Sequence, residues 1–275
     1  MSSVVGPRLS TELYPTSTKQ FLFSDQGNYV SSNASTILVV PCYNEATRLD
    51  VSAFMRFLEA HPSVRYLFVN DGSTDDTARV INDLCDRSER ADALHLETNC
   101  GKAEAVRLGM LDCCKKGYDY AGYWDADLST PLDELPRFRS ILDKRKDIHI
   151  VTGARIKMFG RQIERNSLRH YAGRAFATTV SLLFGIEMYD TQCGAKLFRV
   201  GPEVARLFAE PFHTRWVFDV ELLVRYSRTG EVRNKLVELP LMQWRDVGGS
   251  KMRLGDFLQA PLELLRIHFA YNTSS

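Results

Sequence analysis

Apolar and polar positions along this chain follow two rhythms, and the switches between them mark out its elements. Thr36–Pro41 (TILVVP) is a short unbroken apolar run, the pattern of a strand buried on both faces. Val51, Phe54, Met55 and Leu58 follow at i, i+3, i+4 and i+7 and define one helix face. Tyr66–Val69 reads as a second buried strand. Ser73-Thr74-Asp75-Asp76 then reads as an N-cap with an acid three residues later, opening a helix that buries Val80, Ile81 and Leu84. The cycle recurs twice. Ala93–Leu96 precedes a helix face of Ala103, Val106 and Met110. Tyr120–Trp124 precedes Thr130-Pro131-Leu132-Asp133, a cap, a proline at the first helical position and an acid at the third. Ile148–Thr152 closes this half. Strands alternating with helices predict an α/β fold, with a mostly parallel sheet covered on both faces and a Rossmann-like nucleotide-binding half.

The second half is less regular. The spacing predicts a helix over Arg165–Phe184, a strand over Lys196–Val200, a helix near Phe218–Arg228 stopped by Gly230, and a strand pair within Val232–Trp244. Leu254–Phe269 carries Leu254, Phe257, Leu258, Pro261, Leu262 and Leu265 at near-helical spacing. Residues 1–35 are polar, rich in Ser and Thr, and without periodicity, so they are expected to form a poorly ordered extension. Residues 36–270 are expected to form a single domain.

Composition narrows the function more than the fold. The 275 residues include 35 Lys and Arg against 34 Asp and Glu, and a net charge of +1 excludes binding to nucleic acid through bulk charge. No run approaches the roughly 18 apolar residues of a membrane span. Six cysteines occur without a C-x-x-C pair, and the adjacent Cys113 and Cys114 suit packing better than a disulfide framework, so a cytoplasmic location is expected. A G-x-G-x-x-G after the first strand, a P-loop, a G-x-S-x-G elbow and zinc-ligand histidine spacing are all missing. Dinucleotide oxidoreductase, P-loop NTPase and serine hydrolase chemistry are thereby disfavoured.

What is present collects where the predicted strands end, which is where open α/β sheets bind ligands. The first strand ends in Pro41-Cys42-Tyr43-Asn44-Glu45 and the second in Asn70-Asp71-Gly72-Ser73. The third leads to Asn99-Cys100-Gly101-Lys102 and the fourth to Asp125-Ala126-Asp127. One such cluster is ordinary turn chemistry; four in succession point to a site. On an extended strand end, Asp125 and Asp127 would point to the same side, offering hard oxygen ligands to Mg²⁺ or Mn²⁺ that in turn bridges phosphates.

With these pieces the chain resembles GT-A-fold glycosyltransferases of family 2, especially the dolichyl-phosphate glucosyltransferase and mannosyltransferase group. The resemblance is carried by VVPCYNE (39–45), VNDGSTDDT (69–77), NCGKAEAVRLGM (99–110), DADLSTP (125–131), GAR (153–155), DTQCGAKLF (190–198), RWVFDVELL (215–223) and GGSKM (249–252). It implies a nucleotide-binding half joined to an acceptor-binding half in one GT-A domain. It further implies an inverting, metal-dependent transfer of a hexose, glucose from UDP-glucose being favoured, to a polyprenyl phosphate. By the same resemblance Pro41, Tyr43, Glu45 and Asp71 hold the nucleoside, with Lys102 near the nucleotide, and Asp125 and Asp127 bind ribose and metal. Asp219 faces the acceptor; Arg155, Arg169 and Lys251 supply cations for its phosphate, with Arg165 and Arg174 competing for the place of Arg169. Asp190 and Trp216 belong to the same acceptor side.

A phosphate acceptor arrives ionised and needs no base, whereas a hydroxyl of a small molecule, glycan or peptide would need one, for which Asp219 is the candidate. A nucleotidyltransferase and a non-catalytic nucleotide-sugar-binding module are the other readings. Eukaryotic members of the group carry an N-terminal membrane anchor, and none is expected in these residues. Contact with a membrane is therefore expected to be peripheral, through the 254–269 tail flanked by Lys251, Arg253 and Arg266, unless that apolar face packs on the domain.

Overall fold

A computed structural model of the chain describes residues 34–164, 167–230, 235–247 and 254–272, the side chains of 167–169, 254–258 and 272 excepted. Almost all of the expected N-terminal extension lies outside the described residues, as do Arg165, Val232, Lys251 and Arg253. The elements are β1 (Thr36–Cys42), α1 (Val51–Ala60), β2 (Val64–Asp71), α2 (Thr77–Cys85), β3 (Ala91–Leu96), α3 (Lys102–Lys115) and β4 (Tyr120–Trp124). A 3₁₀ turn (Leu132–Glu134) leads into α4 (Leu135–Lys144), β5 (Ile150–Ala154) and β6 (Gln162–Glu164). Then come α5 (Ser167–Phe184), β7 (Ala195–Arg199), α6 (Pro202–Leu207), α7 (Phe218–Ser227), β8 (Leu236–Pro240), β9 (Gln243–Arg245) and α8 (Leu254–Asn272).

Seven strands form one sheet in the order β3-β2-β1-β4-β7-β5-β8. β3, β2, β1 and β4 are mutually parallel, β7 runs antiparallel to both its neighbours, and β5 pairs parallel with β8. The α/β, mostly parallel expectation holds. The reversal at β7 is new, and it matters: Trp124, where β4 ends, pairs with Ala195, where β7 begins. The loop before β7 therefore meets the parallel strands at the edge where they finish.

The apolar run of β1 has the predicted cause. Leu38 and Val40 face a cluster with Phe54, Tyr66, Phe68, Trp124 and Phe138, while Ile37 and Val39 face one with Val106, Met110, Tyr123, Phe198 and Phe218. A strand covered on both faces has no polar side to show. A third cluster joins α5, α7 and α8 through Val180, Val217, Val220, Leu264 and Ile267.

Three expectations need correction, and one open alternative, the packing of the 254–269 face, is decided. Helix α2 starts at Thr77 after Asp76, and Ser73 does not cap it: the Ser73 Oγ accepts the Asn44 N–H at 2.9 Å, and Asn44 Oδ1 accepts the Thr74 N–H at 2.8 Å. These bonds tie the β2–α2 loop to the loop after β1. Pro131 keeps an extended ψ of 147°, so helical geometry begins one residue later, as the 3₁₀ turn. The two strands read within 232–244 do not pair with each other; β8 joins the main sheet and β9 joins β6. Finally, α8 does not bury Leu262 and Leu265, which are 59% and 45% exposed, but packs inward through Glu263, Leu264 and Ile267.

The inward position of Glu263 has a job. Its carboxylate accepts the backbone N–H groups of Arg215 and Trp216, both at 3.3 Å, and of Val217 at 2.9 Å. These are the amides leading into α7, which a helix start cannot bond internally and which a negative charge also favours. Glu263→Ala should therefore lower unfolding free energy in urea by about 1–3 kcal/mol, the scale of stranding buried donors. Glu263→Gln, keeping an acceptor oxygen, should lose less.

Candidate active site

β4 ends at Trp124, and Asp125–Leu128 is a turn. Strand alternation is thus not what brings the two aspartates together, contrary to the extended geometry expected for them. The turn closes with the Leu128 N–H on the Asp125 carbonyl at 3.2 Å and holds Leu128 at φ 51°, a left-handed conformation unfavourable for a leucine. Asp127 Oδ1 accepts the Ser129 N–H at 2.9 Å, and its Oδ2 lies 3.5 Å from Arg48 Nη2. Arg48 also reaches Glu45 at 3.4 Å, so the β1 loop and the acidic turn share one guanidinium. Asp125 Oδ1 is 2.5 Å from Lys102 Nζ at the start of α3. Its backbone N–H bonds the Gly194 carbonyl at 3.1 Å, and a Cβ on Gly194 would fall 1.8 Å from Asp125 Oδ2.

The electrostatics follow from this crowding. Burial pushes the Asp125 carboxyl above its usual range; Lys102 works against that shift, and the charges of Asp127 and Asp219 add to it. Burial opposes the Lys102 charge, but Asp125, Asp219 and Asp127 together outweigh it and hold the ammonium above the ordinary lysine value.

On the expected nucleoside side, Pro41 sits in β1 opposite Val69, and the Glu45 N–H bonds Thr77 Oγ1 at 2.7 Å. Tyr43 is half-buried between them in sequence. Asp71, only 3% exposed, accepts the Cys100 N–H on Oδ1 at 2.7 Å and the Gly101 N–H on Oδ2 at 2.9 Å, with Asn99 Nδ2 on Oδ2 at 3.1 Å. The end of β2 thus fastens the start of α3, and with it Lys102. This tethering role has no sequence signal beyond a polar residue at a strand end.

On the other side, Asp219 is the second residue of α7 and is 4% exposed. Its Oδ1 accepts Tyr123 Oη at 2.5 Å and Lys196 Nζ at 2.6 Å. Lys196 and Tyr123 escaped the sequence reading, although a lysine inside the apolar run AKLF signals a buried ionic partner. Arg155 grips Asp190 through Nε at 2.5 Å and Nη2 at 2.7 Å, and Asp190 in turn hangs by its N–H from Glu238 at 2.6 Å. Two guanidinium nitrogens of Arg155 are thereby committed to the 190–194 loop. Trp216 is half-buried beside the third cluster, its N–H on Glu263. Arg174 stacks on Tyr189 at 3.8 Å and donates to its carbonyl. The Arg169 side chain and Lys251 lie outside the described residues. Cys193 is buried, and burial first, then Asp190, pushes its thiol up to about 11, in keeping with a packing role.

No group of three or more ligating side chains that could hold a metal occurs among the described residues. Asp125 and Asp127, with side chains 33% and 25% exposed, supply two partly open carboxylates. That set fits Mg²⁺ or Mn²⁺, which takes one or two carboxylates and completes its shell with phosphates and water. It does not fit a metal caged by protein alone.

This architecture, with acids and a lysine at the parallel strand ends, is the GT-A fold of sugar-nucleotide transferases. The chain belongs to glycosyl transferase family 2, whose model matches residues 37–204, and it is a nucleotide-sugar-dependent glycosyltransferase. It is similar to a dolichyl-phosphate beta-glucosyltransferase of Trichomonas vaginalis, 32% identical over 86% of this chain and 71% of that one. A dolichyl-phosphate beta-glucosyltransferase of Dictyostelium discoideum is 30% identical over 85% and 74%. Among solved structures, glucosyl-3-phosphoglycerate synthase from Mycobacterium tuberculosis in complex with Mn²⁺, UDP and glucosyl-3-phosphoglycerate shares the fold. Its TM-score is 0.59 at 18% identity, over 86% of this chain and 80% of that one. A mannosyltransferase from Pyrobaculum calidifontis in complex with GDP-Man and Mn²⁺ scores 0.58 at 14% identity, over 89% and 66%.

The contact between Gly194 and Asp125 gives a direct test. Gly194→Ala must push the Asp125 carboxylate aside, so nucleotide binding measured by calorimetry with Mn²⁺ should weaken about tenfold or more, on the scale of one lost charge-assisted contact. Circular dichroism should show the fold retained.

Proposed function

We propose that this protein transfers glucose from UDP-glucose to a dolichyl or other polyprenyl phosphate, with inversion, at the cytoplasmic face of a membrane. The observation that carries this reading is similarity to dolichyl-phosphate glucosyltransferases over about nine-tenths of the chain. The family match itself spans Asp71, Lys102, Asp125, Asp127 and Lys196. The placement of cations at the strand ends supports this reading. As the glycosidic bond breaks, charge develops on the diphosphate, and pre-placed cations at that point are the usual means of lowering the barrier. Lys102, fixed through Asp71 and paired to Asp125, is such a cation. A Mg²⁺ or Mn²⁺ held by Asp127 and Asp125 would add Lewis-acid neutralisation of the diphosphate. Asp71, Glu45, Tyr43 and Pro41 line the edge where the nucleoside would rest.

Asp127→Ala should abolish transfer and the Mn²⁺-dependent part of UDP binding while leaving the melting temperature near that of the wild type. Transfer that persists in EDTA would remove the metal from the scheme. A thermal-shift panel of UDP, GDP and dTDP tests the donor: stabilisation by GDP and not by UDP would overturn the choice of UDP-glucose. For the acceptor, the kinetic order decides. With a phosphate acceptor, Lys251→Ala and Arg155→Ala should be the damaging changes. With a hydroxyl acceptor, Asp219→Asn should nearly stop the reaction and the cation variants should be mild.

The surface supports peripheral contact. No helix among the described residues is long and apolar enough to cross a membrane. The outward face of α8 exposes Leu262, Leu265 and Phe269, the last 63% exposed, with Arg266 among them; Leu182 of α5, against which α8 packs, is 82% exposed. An apolar stripe with a cation is what an interfacial helix presents to a bilayer. All six cysteines are unpaired thiols, as a reducing compartment would leave them. The double variant Leu265→Glu/Phe269→Glu should lose sedimentation with anionic vesicles and transfer to dolichyl phosphate embedded in them. It should keep transfer to a short, water-soluble isoprenyl phosphate. Loss of both activities would point to misfolding and against docking.

A further inference from the structure

Lys196 is fully buried in β7, between Ala195 and Leu197, which are fully buried too. An ammonium is tolerated in such a place only when its protons are all accepted and its charge is paired. The acceptors are Asp219 Oδ1 at 2.6 Å, the Cys193 carbonyl at 2.8 Å and the Thr191 carbonyl at 3.3 Å, three for three protons. The hydroxyl of Tyr123, on β4, donates to that same Oδ1 at 2.5 Å. Burial, and then the neighbouring Asp219, drive the Tyr123 phenol well above its ordinary value, so it remains a donor. An oxygen that receives two hydrogens at such distances carries none of its own. Both bonds fall on Oδ1, and no hydrogen bond reaches Oδ2 among the described residues.

The same lysine holds more than the carboxylate. Its two carbonyl partners belong to the loop in which Asp190 binds Arg155 and Gly194 abuts Asp125. One buried charge therefore sets the orientation of Asp219 and the position of the loop backing the acidic pair. Asp219 lies close enough for its charge to act on both Asp125 and Lys102.

We propose that Lys196 and Tyr123 are positioning residues that clamp Oδ1 of Asp219, so that Oδ2 is presented in one orientation as a fixed hydrogen-bond acceptor for a hydroxyl of the transferred hexose. Asp219 then orients the sugar through Oδ2. This rests on the reading that Asp219 faces the reacting groups of a glucosyl transfer, and the experiment separates the two.

The variants are Lys196→Met, which keeps length without charge, Tyr123→Phe, which keeps volume without the hydroxyl, and each combined with Asp219→Asn. Binding of UDP with Mn²⁺ should be unchanged in Tyr123→Phe, whose lost hydroxyl bonds Asp219 and leaves the 190–194 loop tied by Lys196. The kcat for transfer to dolichyl phosphate should fall about 100-fold in Lys196→Met, the scale of losing a fixed electrostatic partner at a reacting centre. In Tyr123→Phe it should fall about tenfold. Tyr123→Phe should cost nothing further in the Asp219→Asn background, because residues acting through one group are not additive; Lys196→Met should cost there only what release of the 190–194 loop costs. A Tyr123→Phe loss that multiplies instead would overturn the proposal. Crystal structures of the single variants supply a readout that needs no substrate: Asp219 should spread over more than one rotamer. A single unchanged rotamer would overturn the proposal whatever the sugar or acceptor. If Lys196→Met does not fold, Tyr123→Phe carries both arms. A wild-type enzyme that transfers nothing from UDP-glucose to dolichyl phosphate would overturn the functional reading alone, with the rotamer comparison still deciding this one.

Discussion

Three carboxylates, those of Asp125, Asp127 and Asp219, meet three cations, Lys102, Arg48 and Lys196, where β4 ends and β7 begins. Much of the surrounding structure follows from keeping these charges paired while partly or wholly out of water. A buried ion is tolerable only with its partner in place, and removing one member strands the other. Each pair here draws its members from different elements: Lys102 from α3 and Asp125 from the turn after β4, Arg48 from the loop after β1, Lys196 from β7 and Asp219 from α7. The pairs therefore act as staples between layers, and a site so built does not form until all the elements have docked.

The sequence displayed some of this plainly and hid the rest for identifiable reasons. The four parallel strands and the helices between them were legible because burial on both faces leaves unbroken apolar runs, and helix faces leave a 3.6-residue period. The residues at the strand ends were legible as a set. The direction of β7 was not: the same run AKLFR serves a parallel or an antiparallel strand, and only pairing with Trp124 decides it. The reading of Ser73 as a cap failed because its hydroxyl accepts the Asn44 N–H of the neighbouring loop, a tertiary bond that no local pattern records. In α8 the spacing of leucines pointed to one face and the packing chose another, since Glu263 is drawn inward by the amides ahead of α7. Polar residues that serve buried amides break the rule that the apolar face is the inner one.

Arg155 shows how one residue type can be read correctly for chemistry and still need its surroundings to define the role. A cation beside a predicted acceptor site suggests phosphate binding, yet most of this guanidinium is spent on Asp190 and the Gln192 carbonyl. What the contacts show is a residue that shapes the loop. Asp71, expected on the nucleoside, likewise spends both carboxylate oxygens on fastening the start of α3.

The bond from Glu263 to the amides before α7 bears on how the molecule is made. Chains are synthesised from the N-terminus, and elements that depend only on earlier segments can settle as they emerge. The sheet from β1 to β4, with the acidic turn, has its partners early. The helix carrying Asp219 does not, because the carboxylate that completes its start belongs to α8, 46 residues beyond Val217 along the chain. The helix that carries Asp219 thus settles later than the parallel strands, and a ribosome-bound chain holds β1 to β4 before it holds a completed start of α7.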